Sequence, residues 1–238
     1  DPGTISDIRV GGDLGKVINN CRNFVKMRAE YITPEYNGPF LSTTFTMNRS
    51  NMPEVPEFVE LASDVGFDQI HIKNQDVVSK PDDVQQILFP FSDDQPDIPY
   101  DELEAKFAQA RSIALERGTT LLLPTFEHGF TNTCNPMQQG GVYVAATGEV
   151  SPCVNLGHPT PRMMPDGSYI ENSGLVFGNL HDQSFDEIWK TGKWTKFRQE
   201  FDQGIVPKAC GGCQLLRKSE FHITKPESRT ADLRDVAV

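Results

Sequence analysis

The sequence predicts an α/β protein: a parallel sheet in the first half, then a small α+β metal-binding unit. Three observations carry this. Up to about residue 125, apolar residues alternate between helical spacing and short strand-length runs. From about 126 the pattern changes to short β pieces broken by glycine, proline and polar loops. Four of the five cysteines, Cys134, Cys153, Cys210 and Cys213, fall in that second part.

In the first half, Val17, Cys21, Phe24 and Val25 recur at helical spacing, so roughly 15–30 reads as an amphipathic helix with Cys21 as a small buried hydrophobe. Pro39–Met47 is β-branched and apolar, bounded by Gly38 and Asn48, and reads as a strand. Pro53 opens a second helix whose buried face is Val55, Phe58, Val59, Ala62 and Val65, stopped by Gly66. Gln69–Ile72 reads as a short buried strand, and 77–99 as a long acidic, proline-containing loop. Tyr100–Arg117 is the third helix, with Leu103, Phe107, Ala110 and Ile113 inward, and Thr119–Pro124 the last strand. Such alternation predicts parallel strands with right-handed crossovers. About three βα units cannot close a barrel, and a parallel sheet needs cover on both faces. This half is therefore expected to pack on the second domain, to dimerise, or to belong to a longer chain.

In the second half, Tyr143–Cys153 reads as a hairpin turning at Thr147-Gly148, with Cys153 ending the returning strand. Ser184 and Glu187 form a capping box for a helix whose apolar face is Ile188 and Trp189, then Trp194 and Phe197. Pro207–Cys213 makes a tight knuckle in which Gly211 and Gly212 let backbone N–H groups turn toward sulfur. The tail, 221–238, is polar and is expected to fray.

The chain has 238 residues, enough for a sizeable core. It carries no apolar run long enough for a membrane helix and no visible signal peptide. A net charge of −11 argues against nucleic-acid and anionic-membrane partners. Its acids concentrate only at Ser92–Asp97, which reads as a solvated loop. An odd number of cysteines points to reduced thiols in the cytoplasm rather than a disulfide scaffold. The four clustered cysteines are spaced Cys-x18-Cys, then a gap of 56 residues, then Cys-x2-Cys. Four thiolates complete the coordination of either one [4Fe–4S] cluster or one tetrahedral zinc.

These residues resemble a known family. Cys134-x13-Gly148-x4-Cys153 is similar to the opening of the SPASM/twitch domain of radical S-adenosylmethionine (SAM) enzymes. So are Gly178-Asn179-Leu180, Ser184 to Trp189, Phe197-Arg198 and Cys210-x2-Cys213. The full seven-cysteine SPASM pattern is not met, since Ser219 stands where the next cysteine would fall. The match looks like the shorter twitch type, similar to radical dehydrogenases of aminoglycoside biosynthesis, which hold one auxiliary [4Fe–4S] cluster with four cysteines. The first half resembles the last part of a radical SAM partial (β/α) barrel. Ile8–Gly12 would lead into its fourth helix, Leu41–Met47 would be its fifth strand and Gln69–Ile72 its sixth. The family's Cys-x3-Cys-x2-Cys triplet is absent from this chain.

The resemblance implies a partial barrel over 1–125, an iron–sulfur domain over 126–225 and a polar tail over 226–238. It implies the C-terminal portion of a larger enzyme, or a degenerate relative. SAM and a second [4Fe–4S] cluster would come only with a missing N-terminal half-barrel or upstream segment. The substrate would be a small molecule or a peptide. Asn48, at the end of the fifth-strand match, stands where family members hold SAM; a strand-end turn residue is the alternative. His71 would lie on the strand that lines the adenine site. His128 and His158, near Cys134 and Cys153 in sequence, could support the cluster or the substrate, or be plain loop residues. Asn51 reads as a helix N-cap, and His181 and His222 as surface residues. Arg9 could pair with a carboxylate, and Gly11–Gly15 is a weak phosphate-cradle pattern. A different class is also open: a non-catalytic binding module stapled by zinc.

Overall fold

The computed structural model describes residues 3, 11–36, 38–75, 86–88, 100–125, 131–138, 140–158, 161–163, 169–170, 174–211, 213, 216 and 221–226. Arg9, His128, Gly212, Ser219 and the acidic stretch Ser92–Asp97 lie outside them. Among the described residues no helix is long and apolar enough to cross a membrane.

Helix α1 spans Leu14–Arg28, and the Asp13 carboxylate caps it by accepting from the Lys16 N–H at 3.0 Å. Its inward face differs from the expected one. Leu14, Ile18, Cys21, Val25 and Arg28 are the half-buried positions, a clean helical stripe. Val17 and Phe24 are 54% and 50% exposed. Cys21 lies on that inward stripe and is half-buried. Alternative stripes overlap on a helix this rich in scattered apolar residues, so periodicity alone picked the wrong edge. Arg28 anchors the helix. Its guanidinium donates to Asp68 and, at 3.4 Å each, to the carbonyls of Pro39 and Gly66. Asp68 in turn accepts from the Leu41 N–H at 2.8 Å. Both side chains are only 15% exposed. Asp68→Ala leaves Arg28 without its counter-charge and should cost about 1–3 kcal/mol, read as a lower thermal midpoint.

Strand β1 (Ser42–Met47) pairs in parallel with β2 (Gln69–Asn74), and β2 with β3 (Thr120–Pro124). Helix α2 (Val55–Val65) connects the first pair and ends at Gly66, whose φ of 103° suits the left-handed C-cap. Helix α3 (Tyr100–Arg117) leads into β3. The parallel α/β expectation therefore holds for these three strands. Their outer face, including Met47, Ile70, Ile72, Leu121 and Leu123, packs on Val55, Val59 and Ala62 of α2 and Leu103, Phe107 and Ala110 of α3. The two helices are further joined at the surface by Arg117 to Glu60 at 2.9 Å and to Asp64. By the same register, Thr44, Thr46, Gln69, His71, Lys73, Thr120 and Leu122 share the opposite face.

The fourth strand of this sheet overturns an expectation. The polar composition of 221–238 predicts fraying from Phe221 onward. Phe221–Thr224 instead forms β9, antiparallel to β3, with Leu122 opposite Ile223 and Pro124 opposite Phe221. The sheet is open, ordered β1-β2-β3-β9. A four-residue strand containing a histidine and a threonine carries too little apolar pattern to announce itself; its partner edge on β3 decides it.

The second unit begins with a one-turn helix, α4 (Asn135–Gln138), followed by β4 (Tyr143–Val144) and β5 (Glu149–Ser151). The turn between them falls at Gly148, φ 81°, as the hairpin expectation requires. One-turn helix α5 (Val154–Gly157) follows, and then the two-residue strands β6 (Arg162–Met163) and β7 (Tyr169–Ile170), which pair with each other. Strand β8 (Gly178–Asn179) completes a small antiparallel sheet on β5. Helices α6 (Phe185–Trp189) and α7 (Gly192–Asp202) close the unit.

Candidate metal centre

Cys134, Cys153, Cys210 and Cys213 line one cavity. None of the five cysteines is in a disulfide, and Cys21 lies apart on α1. Each ligand candidate sits where the backbone turns tightly. Cys134 immediately precedes α4, and Cys153 is the N-cap residue of α5. Cys210 ends the 3-10 turn Lys208–Cys210, and the Cys213 N–H donates to the Cys210 carbonyl at 3.0 Å. Such first turns present N–H groups that favour a thiolate. One of them does so visibly: the Met137 N–H faces the Cys134 sulfur.

The rest of the wall is Met137, Pro152, Leu156, Phe197, Phe201 and Leu216, with Asn155 as its one polar residue. Burial, reinforced by the neighbouring Cys213 and Cys153, pushes the Cys134 thiol above its ordinary range. A buried thiol surrounded by other thiols favours the neutral form until a cation arrives to balance the charge. The buried Ser151 hydroxyl, 1% exposed and two residues before Cys153, has no partner among the described residues. These features fit an iron–sulfur group, whose sulfurs take weak hydrogen bonds and whose potential depends on an apolar shell.

The non-cysteine landmarks have packing reasons. A Cβ on Gly178 would lie 2.7 Å from Ile188 Cγ1, and one on Gly148 2.6 Å from Asn179 Oδ1. Asn179 donates to the Thr147 carbonyl at 3.0 Å and accepts from the His181 N–H at 2.9 Å. The capping box is present: the Ser184 N–H donates to Glu187 at 2.8 Å and the Glu187 N–H to Ser184 Oγ at 3.3 Å. The bonds from Ser184 hold the Glu187 carboxyl below its usual range. Trp194, fully buried, stacks on Phe177 at 4.7 Å, and Phe177 meets Phe197 of the cavity wall at 5.6 Å. Arg198 lies over Trp189 at 4.0 Å and donates to its carbonyl at 3.1 Å.

The remaining candidates are placed as follows. Asn48 is engaged in its own turn: its side-chain oxygen accepts from the Ser50 and Asn51 N–H groups at 3.0 and 3.2 Å, and its amide donates to Gln75 at 3.2 Å. Asn51 is not a side-chain N-cap. It makes no such bond to the following turn, but donates to the Thr46 carbonyl at 3.0 Å and accepts from the Asn48 N–H at 2.8 Å. The two asparagines satisfy each other's backbone first, which is why the capping pattern misled. His71 is 5% exposed and packs edge-on against Phe221 at 4.4 Å. Its Nε2 has no partner among the described residues. Burial, then Lys73, lowers its pKa to about 4. His181 and His222 are exposed, as read. His158, open to either a cluster-supporting or a plain loop role, meets the Tyr143 hydroxyl through Nε2 at 2.5 Å. Sequence reasoning missed Tyr143 as a partner, since a hairpin tyrosine and a histidine 15 residues on show no pattern.

That tyrosine ring lies against the turn that carries the second cysteine. A Cβ on Gly157 would stand 2.3 Å from Tyr143 Cδ1. Gly157→Ala should therefore displace the ring or the α5 turn, costing about 1–3 kcal/mol, and lower the iron bound after reconstitution. Metal analysis and a thermal melt check it; wild-type values would show that Tyr143 swings aside freely.

Residues 134–214 match SPASM, an iron–sulfur cluster-binding domain. Over 207 residues the chain is 25% identical to a tungsten-containing aldehyde ferredoxin oxidoreductase cofactor-modifying protein of Pyrococcus furiosus. That alignment covers 87% of this chain and 54% of the relative, so the chain spans about half the relative's length. No solved structure matches it significantly. The chain thus carries a SPASM iron–sulfur domain and is a SPASM-containing relative of the radical SAM enzymes.

Proposed function

We propose that this chain is the C-terminal portion of a radical SAM/SPASM-type enzyme and holds one auxiliary [4Fe–4S] cluster through Cys134, Cys153, Cys210 and Cys213. The observation that carries the reading is the convergence of these four thiols on one apolar cavity. When bound, such a cluster supplies a one-electron acceptor or donor. The residues do the rest. Four cysteines leave no vacant ligand position, which favours electron transfer over direct ligation of substrate. Phe197, Phe201 and Leu216 keep water from the sulfurs, and the Met137 N–H stabilises charge on Cys134. Among the described residues no three of His, Cys, Asp or Glu converge tightly enough for a single metal ion. A donor set of four cysteines suits either a cluster or one zinc, and the SPASM match over 134–214 favours the cluster.

In the first unit, β1 pairs only with β2 among the described residues, and α1 exposes Val17, Phe24 and Met27. These are the edge and face on which a further βα segment would pack to extend the sheet into a partial barrel. SAM and its own cluster would belong to that segment. The polar face of the sheet, bearing Thr44, Thr46, His71 and Lys73, would then line the interior, with Asn48 at its rim. The substrate would be a small molecule or a peptide. Without the Cys-x3-Cys-x2-Cys triplet this polypeptide alone should not cleave SAM, and 5′-deoxyadenosine formed by it alone would overturn that.

Anaerobic purification with iron, sulfide and zinc analysis tests the central reading. About four irons and four sulfides per chain, with a brown colour bleached by reductant, support it. One zinc, no iron and no colour would leave a metal-stapled binding module instead.

A further inference from the structure

We infer that the Tyr143–His158 pair is the proton partner of the metal centre: when the centre gains an electron, His158 takes a proton from solvent and shares it with the Tyr143 oxygen. This rests on the reading of the four-cysteine site as a redox cluster. Three observations carry it. The pair forms a close polar contact, Oη to Nε2, at 2.5 Å. It is attached to the same turn that helps build the site. Cys153 is the N-cap of α5, Leu156 of α5 lines the cavity, and His158 is the C-cap residue, its N–H donating to the Val154 carbonyl at 3.1 Å. Tyr143 presses on the same turn at Gly157. His158 is exposed, so protons reach it, whereas Tyr143 is half-buried and fixes the ring.

The physics is simple. A thiolate-held cluster becomes one charge more negative on reduction, and the one turn that carries Cys153 also carries His158, so the added charge favours the protonated imidazole. Histidine is the side chain that changes charge near neutral pH. In the oxidised state the phenol donates to neutral Nε2; after one electron and one proton enter, Nε2–H donates to the phenol oxygen. Among the described residues the elements packed on the pair are β5 and α5. Their titratable groups are Glu149, whose carboxylate already accepts from Thr147 Oγ1 at 3.1 Å, and the ligand Cys153.

The test is a redox titration of the reconstituted protein across about pH 5–8, followed in the visible spectrum. The midpoint potential should fall by about 59 mV per pH unit over part of that range, one proton for one electron. His158→Gln should make it flat. Tyr143→Phe should keep a slope but move it to lower pH, because the imidazolium loses its acceptor. A flat wild-type profile, or a slope unchanged in His158→Gln, would overturn the inference while leaving the cluster reading intact. Protein that binds no reducible iron would overturn the cluster reading, and this inference with it.

Discussion

Cys210→Ala, and equally Cys134→Ala, is expected to strip the protein of nearly all its iron and colour. Both side chains are buried, at 8% and 7% exposure, in the same apolar cluster as Leu156, Phe197 and Leu216. Loss of a mere supporting group beside a metal costs about 10–100-fold in affinity; loss of one ligand in four must cost more. The folded unit should suffer as well, because binding free energy at such a site is also folding free energy. Met137, Leu175, Phe177 and Val206 pack against this cluster, so the cysteines are part of the core that they would metallate. Cys21→Ala, on a different helix, should keep full iron. Equal iron in Cys210→Ala and wild type would exclude Cys210 from the metal site.

His71 should make stability fall steeply in acid. Its pKa lies at about 4 in the folded chain against 6.5 for the free side chain, chiefly because burial disfavours the charged imidazole. The sign follows from linkage. Below 6.5 the unfolded chain binds a proton that the folded chain refuses until about 4. The contribution is therefore complete above the upper value and is lost progressively as pH falls through this window. Its full size is about 3 kcal/mol, taking 1.36 kcal/mol per unit. Denaturant melts from about pH 7 to 4 should show the loss in the wild type and a much shallower one in His71→Phe. Parallel profiles for the two proteins would mean that the imidazole is charged in the folded state.

Much of this architecture was legible in the sequence because its signals are local. Gly66, the run Ile70–Ile72 and the face Leu103, Phe107, Ala110 each follow from one element's periodicity or cap, and each stands where that logic put it. The cysteines could be grouped because chemistry and spacing restrict them. What escaped depends on contacts between distant segments. Phe221–Thr224 is a strand because β3 offers an edge, and the inward face of α1 depends on what it packs against. Asn51 turned out to serve the end of β1 rather than the start of a helix. The Tyr143–His158 contact joins a hairpin to a loop across one glycine. Such relations are set by tertiary geometry, to which periodicity is blind.

The strand pairing of Pro124 with Phe221 has a consequence for assembly. The chain departs from the sheet on β3 and comes back on the very next strand, so its two ends stand roughly 5 Å apart there. Everything between them, the entire metal-binding unit included, is in topological terms the loop of one oversized hairpin. Closing a long floppy loop carries an entropic toll that an ordered insert removes. Metallation would then do at a distance what a turn does in an ordinary hairpin: it would hold the last strand in register. Maturation of the metal site and completion of the sheet would then be linked, and Phe221, packed edge-on against His71, would report on the last strand.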